Sequence, residues 1–451
     1  MAGKDPRILA EILGGSQPSR AAGDRSAAQV EWGHERASSR VERFMKDAPR
    51  PAGPARAFIA LLAFVLGLGT IPHRVCERDA AAYFDGETAH VDALAASVAS
   101  WTGGELVTSS FATGSSRFDG EWLFGTYMMA AMGFGQIALA SSAGDDARRE
   151  TSIANMDRCL DAMLSPAARA FDRDAWSFDA LESTKADPGS ARDRGHVAYL
   201  GYAGLALGLH RLVAPGSRFD AVDDAIVAAL ARRFAASPSG FVETYPGETY
   251  PVDNTAALGA LALHARATQS ARPVGLVRGL EAVRIHGIHA ESGLLAQAVD
   301  AATGNARDPG RGSGTALAVY FLAFSDRALS ASLYRATRRE LFRTVIGFGA
   351  ILEHPSSCET CAGRVDIDSG PVFAGFGVSA TGFAIGASRA NDDHDAFGSL
   401  YATAHLFGAP FDEHDTRTFA TGGPLGDAIL FAMLTAPKPA ELAQLPRARR
   451  S

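Results

Sequence analysis

The sequence predicts an all-α protein folded as an (α/α)6 toroid, a closed ring of six helical hairpins. Three observations predict it. Six segments rich in Ala, Gly and Leu recur along the chain, starting at Phe118, Gly195, Tyr250, Gly312, Asp368 and Gly422, at spacings of about 77, 55, 62, 56 and 54 residues. More polar stretches lie between them (219–235, 330–345 and 393–406), with apolar residues at i, i+3, i+4 spacing. No run of alternating apolar and polar residues is long enough to build a sheet.

A period of about 55–60 residues accommodates two helices of about 15 residues and two loops. The small-residue helices suit an inner ring, where each helix touches neighbours on nearly every side and Ala and Gly permit close approach. The amphipathic helices suit an outer ring with one face in water. We expect this domain to span residues 75–437, with a C-terminal tail over 438–451. Residues 1–56 hold ten Lys/Arg and seven Asp/Glu, show no lasting apolar period and read as a disordered tail. Residues 57–71 carry no charge. The stretch 57–72 reads as a membrane anchor, a cleaved signal or a buried first core helix. As an anchor, the Lys/Arg excess before it places the tail in the cytoplasm and the toroid outside, a membrane-anchored extracytoplasmic protein; otherwise the chain is soluble.

Composition narrows the function. The chain has 451 residues, 47% hydrophobic and 21% charged, and a net charge of −7, which argues against an extended nucleic-acid surface. Four cysteines exclude a disulfide-dense scaffold. No cofactor or metal motif emerges. The Gly-rich segment 307–315 lacks the Gly-Lys-Ser/Thr ending of a phosphate loop, although Arg311 and free amides there suit an anion, with Ser313 as a helix cap.

In a toroid the loops before the inner helices face one end of the ring, so a shared funnel there is the expected site. The richest loop, 241–254, repeats Glu-Thr-Tyr-Pro and offers Glu243, Tyr245, Glu248, Tyr250 and Asp253, suited to acid/base work and to lining a cavity. Capping by Asp253 is the plainer alternative. His196 opens the second inner helix as a proton shuttle or a structural histidine. Asp366 and Asp368 form a second acidic group; paired with Asp253 or Glu248 they supply the two acids of glycosidic cleavage. Asp119, Glu121 and Trp122 face the opposite wall. Cys358 and Cys361 form a lone CxxC, read first as a local disulfide, with redox and metal roles as alternatives.

Roughly residues 115–400 resemble the linalool dehydratase/isomerase family, extracytoplasmic (α/α)6 barrel lyases acting on a monoterpene alcohol. The resemblance is carried by Phe118 and Trp122, by Arg194-Gly195-His196 followed by Gly216-Ser217-Arg218-Phe219, by the loop from Gly240 to Asn254, and by Asp366, Asp368 and Gly370. It implies that His196 binds or protonates a substrate hydroxyl and that Tyr250 lies in the substrate loop. The family's two active-site cysteines fall at Glu243 and Asp253, which keeps acid/base chemistry with carboxylates. The expectation is a carbon–oxygen lyase or isomerase with His196, Glu243 and Asp253 catalytic, and Trp122, Tyr245, Glu248, Tyr250, Arg311, Asp366 and Asp368 binding substrate. The alternatives are a glycan hydrolase or lyase and a non-catalytic binding toroid. Expected partners are a small-molecule or glycan substrate and a second copy of the chain.

Overall fold

Helices of two compositions alternate along the chain and separate into two layers. The structure, a computed structural model, describes residues 54–103, 106–141, 144–358, 361 and 370–445. Helices α1 (Pro54–Asp85) and α2 (Thr88–Thr102) lead into α3 (Ser116–Ala140) and α4 (Asp146–Met163). Two short helices follow, α5 (Ala170–Trp176) and α6 (Ala180–Ser183), then α7 (Val197–Val213), α8 (Asp220–Ala236), α9 (Pro251–Ala267) and α10 (Val274–Ala282). The chain continues through α11 (Gly312–Ser325), α12 (Arg327–Glu340), α13 (Val378–Ala390), α14 (His394–Gly408), α15 (Gly423–Leu434) and α16 (Pro439–Gln444).

Helices α3, α7, α9, α11, α13 and α15 pack in that order, and α15 returns to α3, so the inner ring closes. Nearly every residue of α11 is buried, as a helix surrounded by protein requires. Its outer partner α12 buries only Leu329, Ser330, Leu333, Tyr334, Ala336 and Thr337, one stripe of its surface. Close approach is paid for by missing side chains: a Cβ on Gly133 of α3 would lie 2.3 Å from the Phe431 ring of α15.

The connections that enter the inner helices (103–115, 164–196, 237–250, 288–311, 341–377 and 409–422) are long and those that leave them are short, so each long connection ends at an inner N-terminus. The hub is bridged lower down. Tyr320 of α11 donates its hydroxyl hydrogen to Oε1 of Gln136 on α3 at 2.9 Å, and Gln136 Nε2 donates to Ala432 O and Thr435 Oγ1, both at 3.0 Å. The inner ring is thus bridged across the half away from its inner N-termini.

Several expectations shift. The fifth inner helix starts at Val378, not Asp368, because Pro371 and a two-stranded hairpin of Val372–Phe373 with Phe376–Gly377 intervene. Its turn residues Ala374 and Gly375 have φ of 50° and 86°, the left-handed pair that closes such hairpins. The amphipathic stretch expected through 345 ends at Glu340; residues Phe342–Val345 pair with Phe348–Ile351, and a third hairpin joins Pro410–Glu413 to Thr416–Phe419. The stretch assigned to a tail from residue 438 begins with α16, whose Leu442 and the following Leu445 join the core. Residues 57–72 belong to the longer helix α1, whose Cys76, Ala80, Tyr83 and Phe84 are buried while Phe58, Ile59, Leu61, Leu62, Phe64, Val65 and Leu66 are exposed. Most of the expected tail, and with it Asp366 and Asp368, lies outside the described residues.

Candidate active site

Asp253 sits in the first turn of α9, at the rim. It is not the cap: the N-cap position is Tyr250, whose side chain makes no capping bond, and Pro251 follows as the first helical residue. The Asp253 carboxylate turns instead toward α7, where Tyr202 donates its hydroxyl hydrogen to Oδ1 at 2.8 Å. The Thr244 hydroxyl adds a second hydrogen bond. Burial outweighs both and pushes the Asp253 carboxyl up to about 6. The Tyr202 ring also meets Phe321 of α11 edge-on at 5.2 Å, so this tyrosine ties three inner helices together.

Asn254 fixes the loop that supplies Thr244. Its Oδ1 accepts from Val242 N at 2.8 Å, and its Nδ2 donates to Val242 O and Tyr250 O. Within the loop, Thr244 Oγ1 accepts from Tyr250 N. Glu243 accepts the Gly247 amide at 3.0 Å, closing the turn. Glu248 is exposed and accepts from the half-buried Tyr250 hydroxyl at 3.1 Å. The loop thus divides its polar groups: Glu243 shapes the turn, Glu248 and Tyr250 form an outer pair, and Thr244 and Asp253 an inner one.

A second carboxylate lies close by. Tyr245 is buried, donates to Glu121 Oε2 of α3 at 3.1 Å, and has Arg117 over its ring at 5.0 Å. Burial, together with the charges of Glu121, Asp253 and Asp172, holds the Tyr245 hydroxyl protonated well above its ordinary range. Trp122, the next residue on α3, is half-buried and packs against the core.

His196 is fully buried. Its Nδ1 lies 2.6 Å from Oδ2 of Asp172, Trp176 stacks on its ring at 4.7 Å, and Phe178 meets it edge-on at 4.7 Å. Burial raises the Asp172 carboxyl, opposed by the histidine. His196 caps α7 in a left-handed conformation, φ 62°, following Gly195 at φ 58°. A Cβ on Gly195 would sit 2.0 Å from the Trp176 ring. The Trp176 indole N–H donates to Thr244 O at 3.3 Å, and Val197 N to Glu243 O. His196 and Asp253 therefore flank the same loop, one beneath it and one at its inner edge.

Arg311 precedes α11 and is buried against Glu353: its Nε donates to Oε1 at 2.9 Å, and Ser313 Oγ donates to the same oxygen at 2.6 Å. Glu353 Oε2 is buried beside Gly377, where a Cβ would come within 2.3 Å of it. Cys358 and Cys361 are joined by a disulfide, Cα to Cα 5.4 Å, leaving Cys76 and Cys159 as buried thiols.

Tyr202, Thr244, Asp172 and Glu353 escaped sequence reasoning. Tyr202 carried a usable signal, since a tyrosine in an otherwise apolar Gly/Ala helix needs a partner for its hydroxyl. Asp172 lies in a seven-residue helix and Glu353 in an irregular segment, both too short to show a period.

No protein-family model matches the chain, and no curated protein matches it in sequence. The resemblance to linalool dehydratase/isomerases therefore rests on the residues quoted for it. Solved structures do align. One is a GH76 alpha-mannanase of Bacteroides thetaiotaomicron, 11% identical, with a TM-score of 0.40, covering 69% of this chain and 84% of its own. Another is Dfg5 from Chaetomium thermophilum in complex with glucosamine, 12% identical, with a TM-score of 0.41, covering 74% and 82%.

Proposed function

We propose that the protein is a glycan-active hydrolase in which Asp253 is the general acid. The observation that carries this reading is the Tyr202–Asp253 pair: a buried carboxyl, titrating at about 6, in the first turn of an inner helix of the ring. A carboxyl of that pKa stays partly protonated near neutrality and delivers its proton to a leaving-group oxygen. Glycosidic cleavage needs a second carboxylate to receive water or attack the sugar, and Glu121 is our candidate, because its charge and that of Asp253 both act on Tyr245. His196, enclosed by Asp172, Trp176 and Phe178, positions the loop rather than meeting substrate.

The same acid would protonate the hydroxyl of an alkenol, the reaction that the family resemblance implies. A screen of the purified chain on α- and β-linked oligosaccharides and on monoterpene alcohols separates the two. Sugar release lost in Asp253→Asn supports the hydrolase. Turnover of alkenols alone rejects it.

The exposed apolar stretch of α1 supports a membrane attachment. Ser116–Ala140 is the one described helix long and apolar enough to cross a membrane, and 83% of its most apolar window is buried inside the ring, as a core helix should be. Ala57–Gly67 is shorter, but consecutive bulky side chains there are exposed on every face, which suits acyl chains. The Cys358–Cys361 disulfide favours an oxidising compartment for the toroid. Removing residues 1–67 should move the protein from the membrane fraction to the soluble one. Retention in the membrane fraction rejects the attachment.

A further inference from the structure

At the end of the ring opposite the rim, Asp223 and Asp224 in the first turns of α8 meet His264 in the last turn of α9, with one oxygen or nitrogen of each within 4.8 Å of the others. We infer that these three residues hold a divalent transition-metal ion, zinc by ligand type, that staples α8 to α9.

The charges are unbalanced without it. Arg211, in the last turn of α7, is shared among Asp220, Asp223 and Asp224: its Nη1 lies 3.2 Å from Asp223 Oδ2 and 2.5 Å from Asp224 Oδ1, and its Nε lies 3.8 Å from Asp220 Oδ2. One guanidinium against three carboxylates leaves a surplus of two negative charges while His264 is neutral. Asp223 is 1% exposed, and its other oxygen, Oδ1, is buried with no hydrogen-bond partner. A buried, unpartnered carboxylate oxygen is costly, and a cation is the ligand that removes the cost. The ends of α7 and α9 add the partial negative charge of their free carbonyls.

The donor set is specific. His264 Nε2 already lies 2.8 Å from Asp224 Oδ1, so a nitrogen and an oxygen converge from two helices. One imidazole with two carboxylates suits zinc and its first-row neighbours; calcium and magnesium prefer oxygen alone. A water completes four-coordination. The ion lies far from Asp253, so this inference stands or falls apart from the proposed hydrolase.

The test is calorimetric titration of the metal-stripped full chain with zinc chloride, with cobalt(II) as a spectroscopic substitute. The expected result is saturable binding of one ion per chain, a rise of about 3 °C or more in unfolding midpoint, and a visible cobalt absorbance of tetrahedral type. Asp224 is 53% exposed at its side chain and His264 17%, so Asp224→Asn and His264→Gln should fold and should weaken binding at least about tenfold each. No saturable binding up to about 1 mM free zinc would overturn the inference. So would equal affinity in both variants, which would place the ion elsewhere.

Discussion

Tyr202 on α7 donates a hydrogen bond to Asp253 on the neighbouring helix α9, across 2.8 Å at the rim of the inner ring. The bond favours the ionised carboxyl, while burial favours the protonated one and prevails, so Asp253 titrates at about 6.

Activity should therefore fall on the alkaline side, with a midpoint near 6, as Asp253 loses its proton. Asp253→Asn should lower kcat about 10²–10⁴-fold and leave the thermal midpoint nearly unchanged or raised. A loss of activity that only tracks a loss of folded protein would make Asp253 a structural residue.

The same carboxyl links pH to stability. Its proton is held more tightly in the folded state, about 6, than at the ordinary value of 3.8. The stability this confers is complete below the ordinary value and is lost as pH rises through about 6, a difference of about 3 kcal/mol. Urea unfolding of Asp253→Asn should accordingly show a smaller decline between pH 4 and pH 8 than the parent chain, by up to that amount. Equal declines would mean that Asp253 is not buried as described.

Removing the tyrosine hydroxyl reads the pair from the other side. Tyr202→Phe deletes a bond that favours the carboxylate, so the alkaline midpoint should move upward, at a stability cost of about 1 kcal/mol. A downward shift in the pH–rate profile would contradict the assignment.

Loop support is tested at Gly195. Alanine there would have to adopt φ 58° and overlap the Trp176 ring at 2.0 Å. We expect Gly195→Ala to cost at least about 3 kcal/mol and to disorder the 241–254 loop, measured by chemical unfolding and by protease sensitivity of that loop.

Across the hub, Tyr320→Phe leaves Gln136 Oε1 buried without its donor. The expected cost is about 1–3 kcal/mol, with the pH–rate profile unchanged, because the contact lies in the opposite half of the hub from Asp253.

The ring was legible because its physics is repetitive. A helix such as Ala316–Phe324, buried on all sides, must be apolar on all sides, and six such segments at a near-constant spacing leave few architectures. The loop 241–254 was legible for the density of its polar groups, yet the division of labour within it was not. Glu243 and Asp253 look alike in sequence, and only tertiary contacts decide that one accepts an amide of its own turn while the other enters an apolar wall. His196 stood out as a histidine at a helix start. Its enclosure comes from Asp172, Trp176 and Phe178, twenty or so residues earlier in and just after the short helix α5, a distance over which no local period reports. The sequence pattern puts Asp368 at the head of a helix, which in the structure begins ten residues later because Pro371 and a positive-φ pair at 374–375 build a hairpin before it.

The Tyr320–Gln136 bond spans the ring between its first and fourth inner helices, so it fixes a diameter that contacts between neighbouring helices leave free.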